Sequence, residues 1–350
     1  MFFENAAKLG HESIHHFQDT ASGLRVIIAI HSTALGPAAG GCRRWPYVSE
    51  VEAMTDALRL ARGMTYKNAI AGLPLGGGKA VMLASADQAQ DEELFHAFGR
   101  CVESLGGRYI TAEDVGASVE NMHQVRQVTK YVAGLPGPAN AAGGDPSPWT
   151  ADGVFLGIKV AAEHRFGATS LKDVRVAVQG VGKVGYDLCR QLHGAGAQLV
   201  ISDVNAQNLS RAQGEFDAQT VSPEQILYQD VDVLAPCAMG AILNTRSIPK
   251  IRAKVIAGSA NNQLADTDDG ARLADRNILY APDYVINGGG IISVALEYMG
   301  DRTSHDTREA IALIPVRLTD IFTTAAAQHK PTNVVADAMA ERIVAAGISV

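Results

Sequence analysis

The sequence predicts an α/β protein made of two domains. Its 350 residues exceed the size of most single domains. Residues 136–148 contain four prolines and three glycines, which continue neither a helix nor a central strand, so we interpret them as an interdomain link. A long surface loop within one domain is the alternative. From residue 174 the pattern is strand, glycine turn, helix and strand, typical of a parallel βαβ unit. The predicted domains are therefore residues 1–135 and 136–329.

The first domain alternates strand and helix signals. Short apolar runs predict strands, and apolar residues at helical spacing predict helices. Strands are expected at 24–30, 80–84 and 108–116, and helices at 49–62 and 91–105. The helix at 49–62 begins after Ser49 and carries Glu52 three residues on, a capping-box pattern. It is expected to deliver Gly63 and Lys67 at its far end.

The segment His11-Glu12-Ser13-Ile14-His15 matches the HExxH pattern of zinc proteases. Both histidines reach one metal only on a helix, where residues four apart share a face. Here Ser13 to Phe17 predicts a strand, and no third ligand stands out. We therefore interpret the histidines as solvated and expect no metal site.

The apolar pattern of the second domain predicts short buried strands between helices. A helix is expected from Thr150 to His164 and another over 184–194. Further apolar runs predict parallel strands at 232–236, 254–258 and 278–282, and the chain closes with helices at 305–328 and 332–346.

Composition narrows the classes of function. An apolar content of 47% with 19% charged residues is ordinary for a soluble globular protein. No apolar run approaches the ~18 residues of a membrane span, and the first residues lack a secretory signal pattern. The net charge of −7 gives no support to nucleic-acid binding. Four cysteines without a CxxC pair are typical of reduced thiols, so we expect a cytoplasmic protein.

A complete G-x-G-x-x-G motif lies between the strand at 174–179 and the helix that follows, the context that identifies a Rossmann-type dinucleotide site. Its glycines permit the tight turn, the approach of the pyrophosphate and the packing of helix on strand, while the helix N-terminus attracts phosphate. Asp203 ends the next strand, where a carboxylate accepts ribose hydroxyls and repels a 2′-phosphate, so NAD is favoured over NADP. An exposed loop acid is the alternative for Asp203. The predicted cofactor contacts are Gly180, Val181, Gly182, Lys183, Val184, Gly185 and Asp203.

The stretch Gly63–Val81 carries Lys67 and Lys79 on either side of three glycines. It is not a phosphate-binding P-loop, because Leu73 stands where that motif needs glycine and Ala80 where it needs Ser or Thr. Ammonium groups among apolar residues are costly unless paired. Two of them close together oppose each other's charge, so one could accept a proton while the other holds a substrate carboxylate. Asp114 is a candidate partner or proton relay. Two surface lysines are the alternative.

Eight segments make the chain resemble the Glu/Leu/Phe/Val dehydrogenase family, most closely its leucine dehydrogenase branch. They run through almost the whole chain in family order. They are LGPAAGGCR (35–43), DALRLARGMTYKNAIAGLPLGGGKAV (56–81), RYITAEDVG (108–116), DPSPWTADGV (145–154), VAVQGVGKVG (176–185), APCAMGAILN (235–244), KVIAGSANNQL (254–264) and ILYAPDYVINGGGIISVA (278–295).

The resemblance implies a role for individual residues. Lys79 would be the general base and Asp114 would assist proton transfer, while Lys67 would bind the substrate carboxylate in a site lined by Gly40, Gly41 and Gly77. Thr150, Ala238 and Asn261 would face the nicotinamide end of NAD, and Asn262 or its neighbour would touch substrate. The implied fold is an N-terminal substrate domain and a Rossmann domain separated by a cleft, with a C-terminal helix (about 330–350) packing back on the first domain.

The resemblance also implies NAD-dependent, reversible oxidative deamination of leucine, valine or isoleucine. The side-chain pocket would be lined by Ala39, Ala112, Ile291 and Val294. Ala39 stands where leucine dehydrogenases usually have Leu and some phenylalanine dehydrogenases have Ala, so phenylalanine or tryptophan is the alternative substrate. A catalytically silent NAD-binding regulator is the alternative of another class, which the presence of both lysines disfavours. The family implies a homo-oligomer, an octamer or smaller.

Overall fold

The chain is described by a computed structural model that covers residues 9–84, 92–136 and 141–347. It divides into two compact units. The first comprises Met1–Asp145, Ser293–Ser304 and Ala340–Val350, and the second comprises Pro146–Ile292 and His305–Met339. This division differs from the expected boundary at 135/136 and assigns Ser293–Ser304 to the first unit, which no boundary signal in the sequence indicates.

The expected interdomain link at 136–148 overlaps the start of a helix. Residues 137–140 fall outside the described part of the chain. A helix already starts at Ser147, with a proline in its first turn, where the missing N–H costs nothing. Prolines in the link therefore mark a helix start as well as a boundary.

The first unit is organised around a mixed sheet in the order β1-β2-β5-β3-β6, with β4 pairing with β5. β1 and β2 are antiparallel, as are β2 and β5, whereas β3 and β4 run parallel to β5. Its strands are β1 (Ser13–Asp19), β2 (Leu24–Ser32), β3 (Ala38–Ala39), β4 (Cys42–Trp45), β5 (Gly76–Leu83) and β6 (Tyr109–Ile110).

Both faces of the two central strands are covered. Because side chains alternate along a strand, Val26, Ile28 and Ile30 of β2 enter one hydrophobic cluster. Ile27 and Ala29 enter the cluster on the opposite face. This two-sided burial explains why β2 and β5 read as continuous apolar runs rather than as alternating patterns.

The first described helix, α1 (Glu50–Ile70), continues beyond its expected end at residue 62. Ser49 caps it by accepting a hydrogen bond from the Glu52 amide at 3.2 Å. The helix continues because its last turns keep burying side chains, and it ends just before Gly72, whose φ of +67° suits a chain reversal. Gly63 and Lys67 therefore lie within the helix and not beyond it.

The strand expected at 108–116 is wrong in extent, since β6 covers only Tyr109–Ile110. After a single bridge at Thr111 the chain turns, and Gly116 takes a φ of +79°. Asp114 consequently lies in a loop. The remaining helices of this part are α2 (Glu92–Ser104) and α3 (Val119–Arg126).

The second unit contains a six-stranded parallel sheet in the order β12-β11-β10-β7-β8-β9. Counted from β7, this is the doubly wound order 3-2-1-4-5-6, whose switch point lies between β7 and β10. The strands are β7 (Arg175–Gln179), β8 (Gln198–Ser202), β9 (Gln219–Thr220), β10 (Val233–Pro236), β11 (Val255–Ile256) and β12 (Leu279–Tyr280).

α-Helices follow four of these strands, whereas β9 and β10 are followed by short 3-10 helices at Ile226–Tyr228 and Ile248–Lys250. The α-helices in the rest of the described chain begin with one that precedes β7. They are α4 (Ser147–Phe166), α5 (Lys183–Gly194), α6 (Ala206–Phe216), α7 (Asp269–Asp275), α8 (Asp283–Ile286), α9 (Gly289–Met299), α10 (Ser304–Ile311), α11 (Ile314–Gln328) and α12 (Thr332–Ala346). The single helix expected at 305–328 is two helices, because Pro315 occupies the first turn of α11.

By length and composition alone, Ser304–Gln328 could cross a membrane. In the structure α11 buries Leu318, Ile321 and Phe322 almost completely. A side chain at Gly157 of α4 would collide with Ile286 and meet Leu318, so these helices pack without a gap. We interpret α11 as a core helix of the second unit.

Candidate active site

The HExxH segment does not form the helical face that metal binding requires. The expected strand is confirmed, because His15 lies on β1 and its ring contacts Ser13 Oγ at 3.0 Å. His11 instead packs edge-on against His31, with ring centroids 4.8 Å apart. Within the described ranges, no group of three or more His, Cys, Asp or Glu side chains could hold a metal ion.

Lys79 is a buried lysine paired with a carboxylate. It lies on β5 with a relative exposure of 5%, and its Nζ is 2.8 Å from Oδ2 of Asp114. An ammonium group taken out of water needs such a partner to offset its lost hydration. The structure thus brings together the two residues that the sequence singles out for proton transfer, and it rejects the surface-lysine alternative for Lys79.

Arg43 contacts the same carboxylate oxygen, a feature the sequence analysis missed. Its Nε donates to Asp114 Oδ2 at 3.1 Å. Burial would raise the pKa of Asp114, but the positive charges of Lys79 and Arg43 outweigh burial and hold that pKa below its ordinary value. Asp114 is therefore an ionised carboxylate held by Lys79 and Arg43.

The three glycines predicted to line the carboxylate site are required by close backbone packing. A Cβ on Gly40 would lie 1.9 Å from the carbonyl oxygen of Gly78. On Gly41 it would lie 2.9 Å from the Asp114 Cβ, and on Gly77 it would lie 2.0 Å from the Thr65 nitrogen of α1. Only glycine permits these approaches. These three glycines let β5, α1 and the Asp114 loop pack closely beside Lys79, and we call this region the glycine corner. The contact of the three glycines with substrate remains a prediction.

Lys67 lies in the last turn of α1 and is partly buried. Because the backbone of α1 packs against Gly77 at Thr65, the turn that carries Lys67 adjoins the glycine corner. Its role as the carboxylate ligand remains a prediction.

Two of the predicted pocket residues meet around Gly134. A Cβ placed there would be 3.8 Å from Val294 Cγ2 and 3.9 Å from the Ala112 Cβ. Ala39, buried in β3, pairs with Gly77 on one side and with Ile110 on the other. Ile291 belongs to the second unit, and its assignment to the pocket remains a prediction.

A partly buried glutamate holds the Gly134 loop. Oε2 of Glu297 accepts the Gly134 amide at 2.8 Å, and burial raises the pKa of Glu297 above its ordinary value. Sequence reasoning missed this residue, although a glutamate in the otherwise apolar run of α9 was a visible signal.

The dinucleotide motif has the geometry that its glycines predict. Gly180 has a φ of +89°, and a Cβ there would lie 2.7 Å from the Ala238 Cβ. On Gly185 it would lie 1.9 Å from the Gly180 carbonyl oxygen, so the third glycine lets α5 pack on the turn. Gly182 caps α5 with no side-chain hydrogen bond, and nothing lies within 4 Å of its Cβ position. This open cradle fits a pyrophosphate.

Asp203 follows β8 and holds the glycine loop. Its Oδ2 accepts the Val181 amide at 2.7 Å, and its Oδ1 accepts the Asn205 amide at 2.7 Å. The carboxylate is partly exposed at the carboxyl end of the sheet, where the doubly wound fold binds nucleotides. Its contact with ribose remains a prediction, as do the cofactor contacts of Lys183 and Val184.

The other predicted cofactor residues lie in the same unit. Asn287, which is buried, donates to Asn261 Oδ1 at 2.8 Å and fixes that side chain. Asn262 is exposed with a φ of +51°. Thr150 donates to the Pro146 carbonyl oxygen at 2.9 Å from the first turns of α4. These contacts orient Asn261 and Thr150, and sequence reasoning missed Asn287.

Comparisons with known proteins cover both units. Residues 11–131 match the Glu/Leu/Phe/Val dehydrogenase dimerisation domain, and residues 201–347 match the Glutamate/Leucine/Phenylalanine/Valine dehydrogenase domain. The chain is 48% identical to leucine dehydrogenase of Thermoactinomyces intermedius, covering 97% of this chain and 92% of the relative. It is 46% identical to valine dehydrogenase of Streptomyces virginiae, and the match covers 95% of this chain and 93% of the relative.

Among solved structures, the L-tryptophan dehydrogenase of Nostoc punctiforme superposes with a TM-score of 0.86 at 42% identity. That match covers 99% of each chain.

Proposed function

The chain belongs to the Glu/Leu/Phe/Val dehydrogenase family and is an amino acid dehydrogenase, and we propose that it deaminates leucine, valine and isoleucine with NAD. The observation that carries this proposal is the buried pair of Lys79 and Asp114, 2.8 Å apart, in a chain similar to leucine and valine dehydrogenases over almost its whole length. Such a pair supplies the proton transfer that the reaction needs. It argues against a silent NAD-binding regulator.

The overall reaction is balanced as follows. An L-amino acid with a charged amino group, NAD⁺ and water give a 2-oxo acid, ammonium, NADH and one proton. When bound, the nicotinamide accepts the hydride from Cα. The cradle formed by Gly180, Gly182 and Gly185 would hold the pyrophosphate, and Thr150, Ala238 and Asn261 would face the nicotinamide end.

The neutral amine of Lys79, formed when its ammonium gives up a proton, acts as the general base in this proposal. It takes a proton from water, and the hydroxide adds to the carbon of the substrate imine. Its ion pair with Asp114 holds Nζ in one position and gives the transferred proton a neighbouring acceptor. Burial on β5 keeps bulk water from competing for this lysine.

Lys67 holds the substrate α-carboxylate in this proposal, and the backbone around Gly40, Gly41 and Gly77 completes the site. Fixing the carboxylate orients the Cα–H bond, and such positioning can contribute several kcal/mol to the barrier reduction. The support for this role is the close packing of α1 on Gly77, which fixes the helix turn that carries Lys67.

NAD rather than NADP is proposed because of Asp203. Its carboxylate is held at the end of β8 by the Val181 and Asn205 amides. A fixed negative charge there can accept ribose hydroxyls and opposes a 2′-phosphate.

Branched-chain substrates are favoured over aromatic ones. Ala112 and Val294 both lie next to Gly134 and would contact an aliphatic side chain. Ala39 leaves room that a leucine would fill, and the similarity to an L-tryptophan dehydrogenase makes an aromatic substrate the second candidate. The leucine and valine dehydrogenases are the more similar relatives by identity.

The substrate proposal predicts a ranking of rates. We expect leucine, valine and isoleucine to show kcat/KM values at least about tenfold above phenylalanine and tryptophan, since one methylene in a pocket changes specificity by about 10–200-fold. The measurement is initial NADH formation at 340 nm and alkaline pH, with each amino acid and either NAD or NADP. Glutamate serves as the control. A higher kcat/KM for phenylalanine or tryptophan would overturn the substrate proposal, and preference for NADP would overturn the role of Asp203.

We further propose a homo-oligomer in the cytoplasm, an octamer or smaller. The match of residues 11–131 to a domain described as a dimerisation domain supports assembly. The four cysteines are free thiols, which suits a reducing compartment.

A further inference from the structure

Arg43 bridges two carboxylates in the first unit. Its Nε donates to Asp114 at 3.1 Å and its Nη1 donates to Asp56 at 3.0 Å. The side chains of Arg43, Asp114 and Asp56 are 22%, 24% and 16% exposed, so these contacts are largely shielded from water. Such charge-assisted hydrogen bonds are stronger and more directional than neutral ones.

Asp56 is itself fixed from several sides. Its Oδ2 also accepts the Tyr47 hydroxyl at 2.6 Å, and its Oδ1 accepts Nη2 of Arg59 at 3.0 Å. Asp56 belongs to α1, so the far end of Arg43 is anchored to a long helix rather than to a loop. The result is a row of alternating charges that runs from Lys79 through Asp114 and Arg43 to Asp56.

Asp114 needs such support because its own backbone is a tight turn. The Asp114 and Ala117 main chains exchange hydrogen bonds at 3.3 and 2.9 Å, and Gly116 is in the left-handed region. A side chain on a turn is less restricted than one on a strand, while Lys79 is fixed on β5. The planar fork of an arginine holds this carboxylate and a second one in fixed directions, whereas the rotatable ammonium of a lysine does not fix their directions.

We propose that Arg43, anchored by Asp56, is a positioning residue that holds the Asp114 carboxylate ionised against Nζ of Lys79 during proton transfer. This inference rests on the proposed function. Arg43 exchanges no proton and touches no substrate in this role. It acts by fixing the direction and the charge of Asp114.

The charged and titratable groups that face Asp114 determine how its pKa responds to the loss of Arg43. Lys79 faces it from β5 and Arg43 from β4. Cys42 and Tyr109 are also close enough to interact with its charge. Burial raises the pKa of Cys42 to about 12 and raises the pKa of Tyr109 as well, so both are neutral at working pH. Removing the positive charge of Arg43 should therefore move the protonation of Asp114 to higher pH.

The test compares four single variants of the full chain: Arg43→Gln, Arg43→Lys, Asp56→Asn and the matched control Arg59→Gln. Arg59 also pairs with Asp56, but it is 57% exposed and the control leaves Arg43 and Asp114 in contact. For each variant we measure kcat and KM for leucine over a range of pH, NADH affinity, and the thermal midpoint.

The expected result separates charge from geometry. Arg43→Gln should lower kcat by about tenfold or more and shift the acid limb of the kcat profile to higher pH, with NADH affinity unchanged. Arg43→Lys should restore the position of the acid limb but only part of kcat. Asp56→Asn should give a smaller loss of kcat, and Arg59→Gln, which keeps the contacts of Arg43 with Asp114 and Asp56, should change kcat and the acid limb less than Asp56→Asn does.

Two outcomes would overturn the inference. One is that Arg43→Gln or Asp56→Asn keeps the wild-type kcat and acid limb. The other is that Arg59→Gln shifts the profile as much as Arg43→Gln. Should Arg43→Gln fail to fold, Arg43→Lys and Asp56→Asn decide the matter through the same profiles. If wild-type protein turns over no amino acid, the proposed function fails first, whereas an active wild type with unchanged variants refutes only the role of Arg43.

Discussion

Replacing Lys79 with alanine is expected to reduce kcat for leucine oxidation by at least about a hundredfold, the scale at which general base catalysis contributes. Lys79 is the buried group that takes the proton from water, and alanine cannot do so. NADH binding should persist, because the glycine motif that would hold the cofactor belongs to the other unit. The measurements are initial rates at 340 nm and a fluorescence titration with NADH.

The control for this variant is Lys172→Ala, which removes an exposed lysine of the second unit and should leave kcat unchanged. Adding a small primary amine to Lys79→Ala should restore part of the rate, since the lost side chain leaves space for a soluble base. More than a few per cent of wild-type kcat in Lys79→Ala without added amine would mean that the base is another group.

Asp114→Asn should have the second largest effect, lowering kcat by about a hundredfold or more. The amide keeps the shape of the side chain but leaves Lys79 and Arg43 without their shared anion. Breaking a fully buried ion pair lowers the free energy of unfolding by about 3–5 kcal/mol. The loss in Asp114→Asn should be smaller, because the Asp114 side chain is 24% exposed. Steady-state rates and urea unfolding at neutral pH measure both effects.

The stability effect of Asp114→Asn should also depend on pH. The folded pKa of Asp114 is lowered, because the charges of Lys79 and Arg43 outweigh the opposing effect of burial. Its stabilising contribution is therefore present above the unfolded pKa of about 3.9 and is lost as the pH falls through the folded value. Wild type and Asp114→Asn should converge in stability only once the pH has fallen below the folded pKa of Asp114, which lies under its ordinary value.

A double variant decides whether the two residues act as one unit. Lys79→Met combined with Asp114→Asn should lose little more kcat than either single variant, since residues that share one step are not additive. Losses that multiply would show that Asp114 acts apart from Lys79, and wild-type kcat in Asp114→Asn would remove it from the mechanism.

The features predicted well from sequence are those that depend on neighbours in the chain. The glycine motif requires a turn, a close approach and a helix start within six residues, so the spacing of Gly180, Gly182 and Gly185 predicts the local geometry. The alternating and continuous apolar runs likewise locate the strands of both sheets. Their exact ends depend on burial elsewhere, which is why α1 runs eight residues further than its pattern indicates, to Ile70 instead of 62.

The features that sequence could not reveal depend on contacts between distant segments. Arg43 and Asp114 are 71 residues apart, and Gly134 and Glu297 are 163 apart. Arg43 is not unusual where it stands, and Glu297 stands out only as a charged residue in an apolar run, so only the folded chain shows what each side chain touches. Ser293–Ser304 joins the first unit for the same reason. The resemblance to the family supplied the pairing of Lys79 with Asp114 that residue patterns alone left open.

The most direct measurement of the central claim follows the hydrogen on Cα. Wild-type protein is incubated with L-leucine carrying deuterium at that carbon and with NAD, and the products are analysed by mass spectrometry. We expect NADH with one deuterium, together with one equivalent each of 4-methyl-2-oxopentanoate and ammonium. Recovery of the deuterium in water, or formation of the oxo acid without NADH, would contradict hydride transfer from the amino acid to the nicotinamide.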